Sequence, residues 1–261
     1  MKPPLTYYGG KQKLAKYILP LIPKHTLYCE PFFGGGAVFF AKAPSEIEVI
    51  NDTNGDLINF YAVVQNRFKS LQKEVKATLH SREHHEAAKA VIGYPTLFND
   101  VKRAWAIWTL ANESYASRLD SPWGFDRKRN TSAKRLHGKR MNFVPDYSTR
   151  LEKTEIENSN ALYVIKSRDS KDSFFYCDPP YYNTHKGHYR DYSEQDFENL
   201  LQTLSEIKGK FLLSSYPSKL LDKFRKKFRW HSKTIDMPLD VSAKYQRHGR
   251  KKEMLIANYP L

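Results

Sequence analysis

Apolar and polar positions along the first 66 residues switch between a strand-like period of two and a helical period. Lys11 to Leu19 carries helical spacing, and Pro20 ends the segment because its ring cannot continue a helix. Leu27-Tyr28-Cys29 is a short apolar run, stopped by Glu30-Pro31 and followed by Gly34-Gly35-Gly36. Helical character returns over Ala37–Lys42. Ile47–Ile50 predicts a second strand ending in Asn51-Asp52, and Asp56–Asn66 predicts the next helix. Strand, glycine turn, helix, strand is a βαβ unit, which implies a parallel sheet.

The pattern changes after residue 66. Helical periods cover roughly 67–91 and 99–114. A basic, aromatic stretch with little clear period follows from Tyr115 to Phe143 and reads as an insertion. It holds Arg118, Arg127, Lys128, Arg129, Lys134, Arg135, Lys139 and Arg140. From residue 159 strands and helices alternate again. Ala161–Ile165, Phe174–Cys177, Phe211–Ser215, Trp230–Ile235 and Met254–Ala257 read as strands. Ser193–Ile207, with a serine cap and acids in its first turn, and Ser218–Phe228 read as helices. Arg247–Lys252 reads as a basic turn. The expectation is one α/β domain from 1–66 and 159–261, interrupted by residues 67–158.

Composition narrows the class. With 261 residues and 40% apolar content the chain can bury a sizeable core. A formal net charge of +15 points to a polyanionic partner, nucleic acid first. No apolar run approaches the roughly 20 residues that span a bilayer, so a membrane partner is not expected. The N-terminus has no signal-peptide pattern. Cys29 and Cys177 are too few for a disulfide framework; they read as reduced, buried strand-end residues of a cytoplasmic protein.

Three segments carry chemistry. In Tyr176-Cys177-Asp178-Pro179-Pro180-Tyr181 an apolar strand ends in an acid, two prolines and an aromatic ring. The prolines stiffen the backbone and preset the Asp178 carboxylate and the Pro179 carbonyl. Two acceptors beside the Tyr181 ring suit a planar amine, which donates two hydrogens while its ring stacks. The plainer alternative is a rigid strand-to-loop turn. Glu30-Pro31-Phe32-Phe33-Gly34-Gly35-Gly36-Ala37 joins a strand to a helix, and its glycines let a ligand approach the backbone. Its spacing departs from the G-x-G-x-x-G dinucleotide pattern. Asp52, closing the next strand, stands where α/β nucleoside-binding proteins place a ribose hydroxyl acceptor, or else near a helix cap. The third segment, Tyr7-Tyr8-Gly9-Gly10-Lys11, reads alone as an N-terminal turn.

Together and in this order, the three segments resemble the Dam-like, D12 class of DNA adenine N6-methyltransferases. Asp178–Tyr181 is similar to the family's catalytic motif, Glu30–Gly36 to its cofactor loop, Tyr7–Lys11 to its N-terminal cofactor motif and Asn51-Asp52 to its ribose-binding acid. Phe211–Ser215 and Glu253–Tyr259 are weaker matches. The resemblance implies a class I S-adenosylmethionine-dependent methyltransferase fold: a Rossmann-like α/β domain with a seven-stranded mixed sheet and a mainly helical DNA-recognition insertion. It implies S-adenosylmethionine as cofactor, double-stranded DNA as partner, and adenine N6 as the methylated atom. A partner restriction endonuclease is not inferable from these residues.

The resemblance also implies roles. Tyr7 stacks on or borders the cofactor adenine, and Lys11 lies near the cofactor or the catalytic loop. Phe32 to Gly36, with Gly34 and Gly36 at the turn, lines the methionine part, Asp52 binds the ribose, and Asp178 lies against the cofactor. Asp178, Pro179 and Tyr181 are the expected catalytic residues, with the target base flipped out of the duplex to reach them. From its charge, the basic insertion is expected to contact DNA through Arg118, Trp123, Arg127, Arg129, Lys139 and Arg140, with Phe125 beside Trp123 as an apolar or stacking partner and Arg250 in a second basic turn; each arginine read singly is equally a solvated loop charge. The loop with His185, Lys186, His188 and Tyr189 reads either as closing over the base or as an ordinary polar surface loop. Family members that read GATC carry a different recognition segment; Ser121–Asp126 and Met141–Pro145 are its nearest echoes here.

Rival readings are cytosine N4 methylation, RNA adenine methylation and a non-catalytic DNA-binding relative. The acid at 178 favours adenine, because N4 enzymes often carry serine there. His80, His84 and His85 read as a wet helix face with no metal, and Trp105 and Trp108 as core.

Overall fold

The computed structural model describes residues 1–7, 9–182, 192–238 and 250–261. In chain order the elements are α1 (Ala15–Ile18), β1 (Leu27–Glu30), α2 (Ala37–Ala41), β2 (Ile47–Asn51), α3 (Gly55–Asn66), α4 (Phe68–Ala77), α5 (Arg82–Gly93) and α6 (Asp100–Glu113). There follow α7 (Thr131–Met141), α8 (Asp146–Leu151), β3 (Thr154–Glu157), α9 (Ala161–Ser167), β4 (Ser173–Cys177), α10 (Glu194–Glu206), β5 (Lys210–Ser215), α11 (Lys219–Lys227), β6 (His231–Pro238) and β7 (Arg250–Ala257). The strands form a seven-stranded sheet in the order β3-β2-β1-β4-β5-β7-β6. β1 pairs parallel with β4, β4 with β5, and β2 with β3, whereas β7 runs antiparallel to both β5 and β6. This is the mixed sheet expected of the class I methyltransferase fold.

The chain divides into two compact units. The first comprises residues 1–20, 33–44 and 48–159. Its centre is α6, which packs against α3, α4 and α5. Every residue from Ala104 to Glu113 is buried, so beyond its first turn the helix has no wet face. Trp105 and Trp108 are core, and the Trp105 indole donates to Thr78 Oγ1 at 2.7 Å. Phe33, Phe39, Phe40 and Tyr61 interlock edge to face beside it. Buried Glu48 on β2 pairs with Lys42 at 2.5 Å and with Arg150 on α8, tying strand to helices.

The second unit comprises residues 21–32, 45–47 and 160–261. All five residues of β4 are buried, as are Leu200, Leu201 and Phe197 on α10. α10 begins with a reciprocal capping box between Ser193 and Asp196. Cys29 and Cys177 are buried free thiols, and burial pushes the Cys177 thiol well above its ordinary range.

Several elements differ from expectation. Ala161–Ile165 is helical, not a strand: Asn160 caps it by accepting from the Leu162 and Tyr163 amides, and Ala161, Val164 and Ile165 alone turn inward, three and four apart. The "basic turn" is partly strand, since residues 250–252 pair with β6; residues 247–249 lie outside the described residues. The Tyr115–Phe143 stretch contains α7, whose one buried residue, Leu136, leaves no apolar period to read. β3 was not expected either. It is a four-residue edge strand with Thr154 as its only buried position. His85 is fully buried, its Nε2 2.9 Å from Ser114 Oγ, so the three histidines do not share a wet face.

Among the described residues no helix is long and apolar enough to cross a membrane. None of them group three or more metal-ligating side chains at one place.

Candidate active site

In an open parallel sheet, ligands bind outside the carboxyl ends of the strands where the strand order reverses. The carboxyl end of β2 lies in the first unit and those of β1 and β4 in the second. The loop after β1 and the ends of β2 and β4 carry all the residues expected to be catalytic or cofactor-binding, except Tyr7 and Lys11.

The first unit holds the glycine loop. Phe33 N donates to Asn51 O at 2.9 Å, bending the chain back toward the end of β2. Gly34 has φ +49° and Gly36 φ +64°, conformations that side chains disfavour. A Cβ on Gly36 would sit 2.5 Å from Phe33 Cζ, and one on Gly35 2.8 Å from Tyr7 Cβ. The loop is therefore bare backbone closed on one side by rings. Asp52 organises it. Its Oδ2 accepts from Gly34 N and its Oδ1 from Asn54 N, both at 2.9 Å. Tyr61 Oη donates to Gly34 O at 2.9 Å. Burial raises the Asp52 pKa, opposed by the Asn54, Gly34 and Thr53 amides. Tyr7 lies against the Gly34 and Gly35 face, and burial followed by the Asp52 charge pushes its phenol up. Lys11 is buried and its Nζ donates to Gly9 O at 3.3 Å. Tyr8 lies outside the described residues.

The second unit holds the Asp178 turn. Cys29 pairs with Phe175, so the ends of β1 and β4 lie side by side. Pro179 is buried, while Asp178 and Tyr181 are half-buried. The Tyr181 hydroxyl has a single proton, which Glu253 Oε1 on β7 and Asp178 Oδ1, 3.3 Å away, share as acceptors. Its ring meets Tyr216 at 4.4 Å and 59°. Burial, then the Asp178 and Glu253 charges, raises its pKa well above the ordinary phenol value, so at neutral pH it is a hydrogen-bond donor. Phe32 meets Tyr192 edge to face at 6.5 Å. Glu253 was quoted from the sequence only as part of a closing motif. Its fully buried carboxylate beneath Tyr181 is a partner that sequence spacing could not supply.

A family model for D12 class N6 adenine-specific DNA methyltransferases matches residues 7–236. The chain belongs to that family.

It is thus an enzyme that methylates adenine in DNA. It is 26% identical to the type II methyltransferase M1.LlaDCHI of Lactococcus lactis subsp. cremoris, over 99% of this chain and 96% of that protein. It is 24% identical to the modification methylase StsI of Streptococcus sanguinis and 26% identical to the type II methyltransferase M.FokI of Planomicrobium okeanokoites. In both cases 99% of this chain aligns with 43% of the larger protein.

The DNA contacts expected of this methyltransferase fall into distinct settings. Arg127 and Arg129 are exposed. Arg118 forms a two-pronged pair with Asp120, at 3.2 and 2.9 Å. Arg140 donates to Lys76 O, and its Nε has no partner among the described residues. Lys139 lines an open groove of about 730 Å³ together with Lys2 and Arg135. Burial and then these two cations lower its pKa. The Trp123 ring lies 4.7 Å from that of His80 and 5.4 Å from that of Phe125. The Arg250 side chain and residues 183–191, with His185, Lys186, His188 and Tyr189, lie outside the described residues.

Proposed function

We propose that this methyltransferase takes its methyl group from S-adenosylmethionine and delivers it to N6 of an adenine flipped out of double-stranded DNA. The observation carrying the residue roles is the Asp178-Pro179-Pro180-Tyr181 turn at the carboxyl end of β4, with the Tyr181 hydroxyl anchored on Asp178 and Glu253. The cofactor's chemistry fits the first unit's residues. Bare backbone at Gly34–Gly36 leaves room for a ligand, and the Asp52 carboxylate, which accepts the Gly34, Asn54 and Thr53 amides, still has acceptor capacity for a ribose hydroxyl. When bound, S-adenosylmethionine supplies an electrophilic methyl group.

The chain's residues do the rest. Tyr7, Lys11, Phe32, Gly34, Gly36 and Asp52 hold the cofactor. The Asp178 carboxylate and Pro179 carbonyl accept the two amine hydrogens of adenine. The amine lone pair is delocalised into the ring, and these bonds favour the pyramidal nitrogen that attacks. The methylated nitrogen is acidic, so no strong base is required. Tyr181 stacks on the flipped base, worth about 1–3 kcal/mol. Residues 67–158 form the recognition region, with Arg127, Arg129, Lys139 and Trp123 toward DNA. The type II relatives support a modification role at a fixed DNA sequence, and the free thiols of Cys29 and Cys177 suit a reducing cytoplasm.

The test is a nucleoside assay. Purified enzyme, S-adenosylmethionine and unmethylated DNA are incubated, and the digest is quantified by mass spectrometry. N6-methyladenine is expected, and Asp178→Ala should lower its formation by roughly 1,000-fold while cofactor binding stays within about threefold. N4-methylcytosine alone would overturn the base assignment, and near-normal turnover by Asp178→Ala would overturn the mechanism.

A further inference from the structure

The Tyr181 hydroxyl stands between two carboxylates and has one proton to give. One acceptor is Asp178, 3.3 Å away on the same turn. The other is Glu253, which β7 brings in from 72 residues further along the chain. Methyl transfer as proposed uses the Asp178 carboxylate and the Tyr181 ring, and it leaves Glu253 without a task.

The second unit holds Glu253 firmly. The residue is fully buried. It pairs with Ile235 on β6, and its neighbour Met254 pairs with Ser215 at the end of β5. Tyr216 follows Ser215, and its ring meets that of Tyr181 at 4.4 Å. Tyr181 is thus held at its ring by Tyr216 and at its tip by Glu253, and the β5–β7 ladder fixes both holders. Burial, then the Asp178 and Glu253 charges, keeps the phenol protonated, so the proton stays on Tyr181 and points at one carboxylate or the other.

The choice has a chemical consequence. A carboxylate that accepts a hydroxyl proton commits part of its negative charge to that bond and has less to offer an amine hydrogen. Asp178 must strengthen its bond to the adenine amine as the nitrogen becomes pyramidal. A proton drawn toward Glu253 is one that Asp178 does not carry.

We propose that Glu253 is a positioning residue, which draws the Tyr181 hydroxyl proton to itself and keeps it off Asp178, so that the Asp178 carboxylate meets the target amine at full strength. This rests on the role given to Asp178 above. Glu253 acts through the Tyr181 hydroxyl.

The test is a double-mutant cycle on the full-length enzyme, reading methyl transfer from S-adenosylmethionine to unmethylated DNA. Glu253→Gln keeps the shape but is a neutral, weaker acceptor, so the hydroxyl turns to Asp178. It should lower kcat about 30-fold while KM for DNA stays within about twofold. Tyr181→Phe keeps the ring and removes the contested proton. In that background Glu253→Gln should lower kcat by less than about threefold, and the double variant should turn over faster than Glu253→Gln alone. A purely structural role would give equal losses in both backgrounds, and that result, or an unchanged kcat in Glu253→Gln, would overturn the proposal. Glu253→Asp keeps the charge and should retain more turnover than Glu253→Gln; the reverse order would also overturn it. Asp178→Ala reads the underlying role separately. Normal turnover there removes the role of Asp178 and this proposal with it, whereas lost turnover without coupling in the cycle removes Glu253 alone.

Discussion

Two loops of the first unit are each organised by a carboxylate, half-buried Asp52 and fully buried Glu113, and they are finished differently. At the glycine loop both Asp52 oxygens collect backbone amides. At the loop that carries Trp123, Glu113 Oε2 accepts from Ser81 N and the Trp123 indole, both at 3.2 Å, while its Oε1 is buried with no partner among the described residues. Burial raises both pKa values. That of Glu113 is pushed up to about 7, because two donors do not offset the loss of water. A carboxylate can shape a loop in either condition. The satisfied one suits a site that must present an anion, and the half-satisfied one carries a latent sensitivity to pH.

The sharpest way to break the first loop is Gly36→Ala. A methyl group there meets the Phe33 ring, which Phe39 and Tyr61 hold in place, and φ +64° adds strain. A cost of about 3 kcal/mol is expected, read as a drop on the order of 10 °C in calorimetry and as cofactor affinity weakened roughly 100-fold. Asp52→Asn is milder. It keeps the shape but removes the charge and one acceptor, so titration calorimetry should find S-adenosylmethionine bound about 10- to 100-fold more weakly. An unchanged Kd would remove Asp52 from the cofactor site.

Glu113→Gln should have the smallest effect, visible mainly as a change in pH dependence. The folded pKa lies above the unfolded value of 4.5, so the folded protein holds the extra proton between 4.5 and about 7. The stability tied to this group is full below 4.5 and is lost as pH rises toward 7. Wild-type melting temperature should therefore fall by on the order of 5 °C across that window, and the glutamine variant should lack that part of the fall. Parallel curves for the two proteins would contradict the raised pKa.

The legible parts of this enzyme are those in which a turn demands particular residues. Glycines before α2, prolines after β4 and an acid ending β2 are each required by backbone geometry, so they stand out in the sequence. The order of strands and helices was readable wherever an apolar run was bounded by such signals. Ala161–Ile165 misled because five apolar residues fit a buried strand and a helical turn equally; the Asn160 cap and exposed Tyr163 decide for the helix. Glu113 and Glu253 were illegible for another reason. An acid becomes a buried anchor only through partners distant in sequence, here Ser81 and Tyr181, which no local spacing reveals.

The sheet order bears on how the chain is made. β7 is the latest strand in the sequence, yet it lies between β5 and β6 and is hydrogen-bonded to both. A chain emerging from the ribosome can assemble β1, β4 and β5 early, but β6 has no neighbour in the sheet until β7 arrives. Glu253, the anchor of Tyr181, arrives on that same strand. The Tyr181 anchor is thus completed only once β7 has joined the sheet, after β1, β4 and β5 can already pair.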